Sequence, residues 1–534
     1  MLQEQSSRSA RAPHSSGPLM IIVGIFSLCL LMLTACGGTT PNTSSGNTGK
    51  KGGIINVGFG AEPARMDPLD SASAYDTQVF YNMYDTLFKY DEKNTIQPEL
   101  ATSYTYASPT VLNLMLRNDV TFHDGTPFNA DAVVFNINRI INDLASPRHS
   151  SFVDVDVVQK ISDFQVQIRL KQPFSPLLDA LTGLGGMILS PTAIQKLGSK
   201  LTSAPIGAGC GPFIFVEWVR GDHILLKANP NYWKKDAQGN RLPYLQGIRD
   251  RFIGNGVVMF NNLETDQIQV VTNNALDPTT VAQVKSNPSL TYRQIPGPGF
   301  TALFINMAAP PFNNVHMRRA IAWAVNRQEL LDKVYEDIGV LSKGPISTAS
   351  WAYDKSFTGF SYDVNQAKAE LAQAGGATTF TLQLTAGVPS ILRAAQFIQA
   401  QLQVVGITMN IKQEVFAPLI TDWQTGNYQM AFFGFTGGID PDPLLYTLFT
   451  THGGFNHSHY SNPAVDVALN AARRESDQAQ RSADYAKAQQ MIVEDVPLIF
   501  IYHPAVYQAT SKRVQNYPLL PNSFVDFTSV YLSS

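Results

Sequence analysis

The sequence is poor in cysteine, poor in charge, and has no apolar run as long as the about 20 residues that a membrane-spanning helix needs. Two of its three cysteines, Cys29 and Cys36, lie near the N-terminus. Only Cys210 remains for the rest of the chain, which excludes an intramolecular disulfide there. Charged residues make up 15% of the sequence, the formal net charge is −3, and no block of like charges occurs. This balance argues against nucleic acid as a partner, because its recognition needs a basic face.

The motifs of common enzyme classes are also missing. The sequence has no Gly-x-Ser-x-Gly, no His-Glu-x-x-His and no cysteine beside an evident base. The glycine-rich stretch Pro205–Phe213 lacks the Gly-Lys-Ser/Thr of a phosphate loop, and we interpret Cys210 within it as a buried small side chain. We interpret His452, His457 and His459 as part of a polar loop rather than as metal ligands. We therefore predict a protein that is not an enzyme and that has no metal and no cofactor.

The N-terminal region has the features of a secretion signal. Two arginines precede Met20–Thr34, an apolar run that is short for a permanent membrane anchor. The run ends in Leu33–Cys36, which resembles a bacterial lipobox, so we predict a signal peptide over 1–35 and lipidation of Cys36. Glycine, serine, threonine and asparagine dominate the following segment, and we predict a flexible tether over 36–53. The protein is then expected in the periplasm or on the outer face of the cell membrane, with a single short anchor as the alternative.

The rest of the chain has the alternation of an α/β protein. Apolar residues alternate over Phe380–Leu384 and Ile407–Ile411, and the helical spacing of Pro389–Val405 between them predicts a βαβ unit. The unbroken apolar run Met430–Phe433 predicts a strand of the same sheet that is buried on both faces. Apolar spacing and capping residues predict further helices over Ala74–Leu87, Ala130–Leu144 after Asn129, Asn314–Ile338, Val364–Ala374 after Asp363, and Ala464–Val493.

A candidate site follows directly after the run Met430–Phe433. The loop Gly434–Gly438 contains three glycines and Phe435, and Asp440 and Asp442 come next, each before a proline. In open α/β sheets, ligands lie beyond the carboxyl ends of the parallel strands. Glycines also allow another backbone to approach closely. The loop therefore predicts a ligand pocket, and the alternative is that the two aspartates only cap turns.

The sequence resembles the bacterial extracellular solute-binding proteins that serve peptide and nickel ABC importers. The matching segments follow the order of that family and cover nearly all of the chain after the tether. They are Pro98–Tyr104, Leu116–Arg117, Val120–Pro127, Asp131–Arg139, Pro205–Phe213, Asn229–Trp233, Phe304–Arg327, Tyr362–Gly375, Gly434–Pro443, Tyr460–Asp466 and Asp495–Tyr502.

The resemblance implies a bilobal α/β fold of the periplasmic-binding-protein type (class II, cluster C), with an extra domain and a hinge between the lobes. Breaks rich in proline or glycine at Pro296–Gly299 and Pro497–Pro504 fit the crossings between the lobes, with surface turns as the alternative. The implied divisions after the tether are 54–87, 189–297 and 503–534 for the first lobe, 88–188 for the extra domain, and 298–502 for the second lobe.

The function that the resemblance implies is that of a receptor in an ABC importer. It would bind a small solute, with an oligopeptide as the first candidate, and deliver it to a permease and ATPase complex. We expect a monomer held at the membrane by its lipid. Binding of an oligosaccharide or a metal chelate on the same scaffold, a peptide-sensing receptor, and a secreted hydrolase stay open as alternatives.

The resemblance also suggests which residues contact the ligand. We predict an ammonium contact at Asp440, or else at Asp442, and an aromatic wall at Phe435. Trp423 either adds to that wall or belongs to the core. The backbone of the segments around the loop would pair with an extended peptide. The full set of predicted ligand contacts is Gly299, Phe300, Thr301, Glu414, Phe435, Thr436, Gly437, Asp440, Asp442 and Asn456.

One departure from the family bears on the ligand. Dipeptide receptors of the family resemble Gly-Trp-Thr-Gly-Asp-Asn-Gly-Asp-Pro-Asp in this loop. Here Gly434–Asp442 is one residue shorter and lacks the first acid. The ammonium contact, and with it a dipeptide as the ligand, is the part of the resemblance that this difference calls into question.

Overall fold

The computed structural model describes residues 52–71, 73–272, 275–520 and 525–533. The predicted signal peptide, the predicted lipidation site Cys36 and the tether up to residue 51 lie outside these ranges. Within the described ranges, no helix is both long enough and apolar enough to cross a membrane.

The described residues form twenty strands. In chain order they are β1 (Ile54–Phe59), β2 (Phe88–Tyr90), β3 (Ile96–Pro98), β4 (Ala101–Ser108), β5 (Val111–Leu116), β6 (Val155–Ser162), β7 (Gln165–Leu170), β8 (Phe213–Val219), β9 (His223–Ala228), β10 (Gly247–Phe252), β11 (Val270–Val271), β12 (Leu290–Pro296), β13 (Phe300–Ile305), β14 (Gly339–Leu341), β15 (Thr378–Thr385), β16 (Ile407–Glu414), β17 (Met430–Phe435), β18 (Leu498–Ser511), β19 (Val514–Gln515) and β20 (Tyr531–Leu532).

Fourteen α-helices lie between the strands in the same described ranges. They are α1 (Ala74–Met83), α2 (Ala130–Asn142), α3 (Leu177–Ala180), α4 (Pro191–Leu197), α5 (Gly256–Glu264), α6 (Pro278–Ser286), α7 (Val315–Ala324), α8 (Arg327–Val334), α9 (Val364–Gln373), α10 (Pro389–Val404), α11 (Phe416–Thr425), α12 (Asp442–Phe449), α13 (Pro463–Arg474) and α14 (Gln478–Asp495). The first helix is shorter than predicted, since it ends at Met83, where the backbone of Tyr84 becomes extended.

Twelve of the strands form one sheet that runs through both lobes. Its order is β16-β15-β17-β13-β18-β11-β1-β10-β9-β8, and β12 and β14 also pair with β18. The long strand β18 is shared: Ile499 lies opposite Leu303 of β13, whereas Ala509 lies opposite Tyr292 of β12. The first lobe is built around β1 and β8 to β12, and the second around β13 to β17. The chain passes from one to the other at Pro296–Gly299 and along β18, while the predicted domain bounds stay predictions.

The second lobe contains the predicted βαβ unit. β15 and β16 are parallel, with Phe380 opposite Met409, and α10 connects them. β17 adds to the other side of β15 in parallel. Met430 and Phe432 enter one apolar core and Ala431 and Phe433 enter the core on the opposite face. The prediction of a strand buried on both faces is therefore confirmed.

A four-stranded antiparallel sheet, β4-β5-β7-β6, forms the core of the extra domain. Alternating residues of β5 and β7, such as Leu112 and Ile168, are buried against α2. The predicted cap of α2 is confirmed, since the side chain of Asn129 accepts a hydrogen bond from the Ala132 N–H at 3.2 Å. The thiol of Cys210 is buried at the edge of the same core, where burial raises its pKa, as the prediction of a buried small side chain requires.

Two of the predicted helices are each divided in two. Within Asn314–Ile338, the side chain of Asn326 accepts from the Glu329 N–H at 3.2 Å and donates to the Glu329 carboxylate at 3.2 Å. This N-cap starts a new helix inside the apolar spacing that had predicted one. Asp477 acts in the same way between α13 and α14, accepting from the Gln480 N–H at 2.8 Å. Helical spacing alone does not reveal such an internal cap, because both helices bury the same kind of apolar face.

Candidate functional site

A cavity of about 480 Å³ lies where the two lobes face each other, and we call it the cleft cavity. The first lobe contributes Ala74, Tyr75, Thr77 and Gln78 from the start of α1. Tyr81 and Arg148 also line it. The second lobe contributes the segment Gly297–Thr301 at the start of β13 and the segment at the end of β17. Six of the predicted contact residues line the cleft cavity, namely Gly299, Phe300, Thr301, Phe435, Thr436 and Gly437. Their role in binding stays a prediction.

On the second-lobe side of the cleft cavity, Gly299 and Gly437 lie too close to another stretch of main chain for a side chain to fit. A Cβ on Gly299 would lie 2.2 Å from the carbonyl oxygen of Phe435, and one on Gly437 would lie 2.4 Å from that of Pro298. Two stretches of main chain therefore pack directly against each other. The neutral ring of His503, whose pKa burial lowers to about 4, donates from Nδ1 to the Gly299 carbonyl at 2.8 Å. Around Gly299 and Gly437, the second-lobe wall is thus closely packed backbone.

Phe435 is the aromatic edge of a larger ring cluster. Its ring lies 5.6 Å from Phe304, and Phe304 stacks on Phe433 at 4.2 Å. Trp423 packs edge-on against the same rings and is only 3% exposed. Of the two alternatives for Trp423, the structure therefore shows the core residue. Phe435 is half-buried and lines the cleft cavity, as an aromatic wall would.

The predicted ammonium contact at Asp440 or Asp442 is not what the structure shows, because both carboxylates are already paired. Asp440 binds Arg481 at 2.9 Å and Asp442 binds Arg473 at 2.9 Å. The two aspartates are 5% and 2% exposed, and neither lines the cleft cavity. Burial raises the pKa of Asp442, and the adjacent Arg473 opposes that shift. The two arginines belong to α13 and α14, which lie far from the loop in the sequence. The loop sequence alone therefore does not reveal the pairing.

Two further predicted contacts also lie away from the cleft cavity. Glu414 accepts from Gln383 at 2.9 Å and pairs with Lys412 at 2.8 Å at the end of β16. The Asn456 amide donates to the carbonyls of Thr450 and Tyr460 at 2.9 and 2.6 Å, which holds its loop together. The observed partners of Glu414 and Asn456 thus belong to the protein, and their contact with a ligand stays a prediction.

The paired aspartates face the extra domain. The Ser175 N–H of the extra domain donates to the Arg473 carbonyl at 2.9 Å. Beside it, the Tyr90 hydroxyl donates to Asp179 at 2.6 Å. Burial and the nearby charges of Asp440 and Asp442 raise the pKa of Asp179 to about 7. Asp440 and Asp442 therefore lie at the contact between the second lobe and the extra domain, whereas Phe435, Thr436 and Gly437 before them line the cleft cavity.

Two polar side chains that line the cleft cavity were not predicted from the sequence, namely Gln78 of the first lobe and Arg148 of the segment 88–188 that is assigned to the extra domain. Gln78 is 2% exposed, and neither the oxygen nor the nitrogen of its amide has a hydrogen-bond partner. The Nε of Arg148 is also buried without a partner, and its Nη2 reaches only the Ser71 carbonyl at 3.3 Å. Burial lowers the pKa of the Arg148 guanidinium. The sequence feature that could have pointed to Gln78 is a glutamine on the buried side of α1.

Comparison with known proteins agrees with the fold. The family model "Bacterial extracellular solute-binding proteins, family 5 Middle" matches residues 95–456. The chain is 27% identical over 521 residues to the glutathione-binding protein GsiB of Pectobacterium atrosepticum, covering 94% of this chain and 98% of that protein. It is 29% identical over 510 residues to di/tripeptide-binding protein 2 of Pseudomonas aeruginosa, covering 88% and 93%.

A solved structure gives the same picture. The periplasmic binding protein DppA from Helicobacter pylori, in complex with the peptide STSA, superposes with a TM-score of 0.80 at 27% identity. The match covers 91% of this chain and 99% of that one. With the family model matching well over half of the sequence, the chain belongs to family 5 of the bacterial extracellular solute-binding proteins, and it is a solute-binding protein of the ABC transporter type.

Proposed function

We propose that the protein is an extracellular receptor of an ABC importer that binds a short peptide between its lobes and passes it unchanged to a permease and ATPase complex. It acts as a monomer and performs no covalent chemistry. The relatives described above are named for glutathione and for di- and tripeptides, and the DppA structure contains the peptide STSA, all of which are short peptides. A lipid on Cys36 holds it at the outer face of the cell membrane.

The observation that carries the proposal is the cleft cavity with its wall of main chain. Its volume of about 480 Å³ suits a small ligand, since pockets for such ligands span about 300–1,000 Å³. Beyond the pairing of β17 with β13, the peptide groups of Thr436 and Gly437 at the end of β17 can pair with an extended peptide in the manner of an added strand. Such pairing does not read side chains, so we expect peptides of many sequences to bind. Closure of the lobes around the peptide gives the form that the permease recognises.

A randomised tripeptide library tests the proposal. Native mass spectrometry of the purified protein after incubation with the library should show one tripeptide per chain, with many sequences among those bound. Tripeptides released afterwards should be intact, whereas a hydrolase would release fragments. The proposal would be wrong if no tripeptide binds while an oligosaccharide or a metal chelate does.

The lipid anchor is tested separately on the full-length protein. Replacing Cys36 by serine removes the acyl acceptor, so the protein should move from the membrane fraction to the soluble fraction of the producing cells. Replacing Cys29 by serine is the matched control and should leave the fractionation unchanged. Membrane association of the Cys36→Ser variant would contradict the anchor while leaving the binding proposal intact.

A further inference from the structure

The contact between the second lobe and the extra domain contains more carboxylates than guanidiniums. On the second lobe, Asp440 pairs with Arg481 at 2.9 Å. Asp442 pairs with Arg473 at 2.9 Å as well. Asp179 of the extra domain brings a third carboxylate to this cluster, which therefore has one negative charge in excess when all three carboxylates are ionised. Like charges that share a site disfavour ionisation, and one proton would remove the excess.

The surroundings of Asp179 favour its protonated form. The ionisable groups that face it are Tyr90 of β2, Tyr81 of α1, Asp440 in the loop after β17, Asp442 of α12 and Arg481 of α14. Burial and the charges of the two aspartates raise the pKa of Asp179 to about 7, against the opposing effects of Tyr90 and Arg481. Asp179 is only partly buried, so a proton can reach it from solvent.

The extra domain is joined firmly to the first lobe. Its chain leaves that lobe after α1 and re-enters it at α4. Arg139 of α2 pairs with Asp67 of the first lobe at 2.6 Å. The Asn136 amide donates to the Leu189 carbonyl at 2.7 Å and accepts from the Leu189 N–H at 3.3 Å. A rotation of the lobes about the crossings at Pro296–Gly299 and β18 therefore moves the extra domain together with the first lobe.

The hydrogen bonds that join the extra domain to the second lobe are of a kind that water can replace. The Ser175 N–H donates to the Arg473 carbonyl at 2.9 Å. The Asn94 amide donates to the Ala349 carbonyl at 3.1 Å. When the lobes separate, water can take the place of both donors and both acceptors. Asp179 would then leave the paired aspartates and face water, where an aspartate has a pKa of about 3.9.

We propose that closure of the lobes takes up a proton at Asp179, so that the receptor binds its ligand more tightly at acidic pH than at neutral pH. This inference rests on the proposed function and adds a regulation of the same cleft. Because the pKa of Asp179 is higher in the closed form, the closed form binds the proton more tightly than the open form. The affinity for the ligand should be highest below about pH 4, fall as the pH rises to about 7, and change little from this cause above that range.

Calorimetric titration tests the inference with a captured tripeptide that has no ionisable side chain, because its two ends keep their charges between about pH 5 and pH 7. Titrations at about pH 6 in two buffers of different ionisation enthalpy should show the uptake of about half a proton or more per tripeptide bound. The dissociation constant should rise by about fivefold or more from about pH 5 to pH 7. Binding without proton uptake would overturn the inference and leave the proposed function intact. Failure of every tripeptide to bind at both pH values would instead remove the proposed function.

Asp179→Asn identifies the residue, because the amide keeps the shape of the side chain but does not titrate. Tripeptide binding by this variant should take up no proton, and its dissociation constant should stay within about twofold from about pH 5 to pH 7. The matched control is Asp156→Asn, which changes an exposed acid of the same domain that pairs with Arg169 at 2.9 Å. This control should take up the proton as the wild-type protein does. Proton uptake that persists in Asp179→Asn would overturn the assignment to Asp179.

Tyr90→Phe should move the pH range of the effect. The Tyr90 hydroxyl donates to Asp179 at 2.6 Å and thereby favours the ionised carboxylate. Without this hydrogen bond the pKa of Asp179 should rise, so the fall in affinity should occur at higher pH than in the wild-type protein. A merely structural effect would change the affinity by the same factor at every pH. A pH range that is unchanged or lower in Tyr90→Phe would contradict Asp179 as the group that takes up the proton.

Discussion

Arginines occur in two contrasting settings in this protein. Arg473 and Arg481 are buried, and each is paired with an aspartate of the loop after β17. Arg148 borders the cleft cavity, has no ion pair among the described residues, and keeps a buried Nε without a partner. In the folded protein, the charges of the loop after β17 are thus paired, whereas the guanidinium of Arg148 has no counterion among the described residues. A group that folding leaves unsatisfied is the better guide to a ligand than a conspicuous charge in the sequence.

The largest effect on stability is expected for the buried ion pair between Arg481 and Asp440. Arg481→Met leaves Asp440 buried without its counterion, so the free energy of unfolding should fall by about 3–5 kcal/mol. Urea denaturation followed by circular dichroism measures the change. The double variant Asp440→Asn/Arg481→Met is the control and should recover much of the loss, because it removes the uncompensated charge. A loss below about 1 kcal/mol in Arg481→Met would contradict the pairing.

The next effect depends on pH and concerns Asp179, beside the same aspartates. Its pKa is raised to about 7 in the folded protein, against about 3.9 in an unfolded chain. The folded state therefore holds this proton more tightly, and the contribution of Asp179 to stability is full below about pH 4 and is lost as the pH rises towards 7. Relative to Asp179→Asn, the wild-type protein should lose unfolding free energy across that range.

The matched control for this pH effect is the exposed Glu92. The Glu92→Gln variant shows how much of any pH dependence comes from the loss of one exposed carboxyl group in general. Urea titrations at several pH values give both differences. A constant difference for Asp179→Asn as well would show that Asp179 ionises normally at the contact between the second lobe and the extra domain.

A smaller effect is expected for Asp440→Asn, which tests whether the paired aspartate contacts the ligand. Asp440→Asn should lower stability, because Arg481 loses its counterion, but it should leave the affinity for a free-acid tripeptide within about twofold of the wild type. Calorimetric titration at a temperature where the variant is folded measures this. A loss of affinity above about tenfold would return the ligand contact to Asp440, as the resemblance alone had suggested.

The smallest effect on stability is expected for a substitution of Arg148, which borders the cleft cavity. Arg148→Met removes a cation without an ion pair, so the free energy of unfolding should stay within about 0.5 kcal/mol of the wild type. Urea denaturation alongside Arg481→Met compares two arginines under the same conditions. Equal destabilisation by the two substitutions would remove the distinction between them.

Much of the second lobe was predictable because its signals are local. The spacing of apolar residues in β15, α10 and β16 specifies a βαβ unit, and the unbroken run of β17 indicates burial on both faces. Caps such as Asn129 act within three residues of the helix that they begin. Asn326 shows the limit, since this N-cap divides a stretch whose apolar spacing is continuous.

The sequence by itself determined the α/β character and the strand that leads to the candidate loop, because these depend on short-range spacing, whereas the predicted contacts Gly299, Phe300 and Thr301 came from the family resemblance. Only the tertiary structure decided which charges are available. Asp440 meets Arg481 across 41 positions of sequence, and Gln78 and Arg148 come together at one cavity from separate elements. The pairing of charges depends on distances in space, and those are set when the lobes and the extra domain pack together.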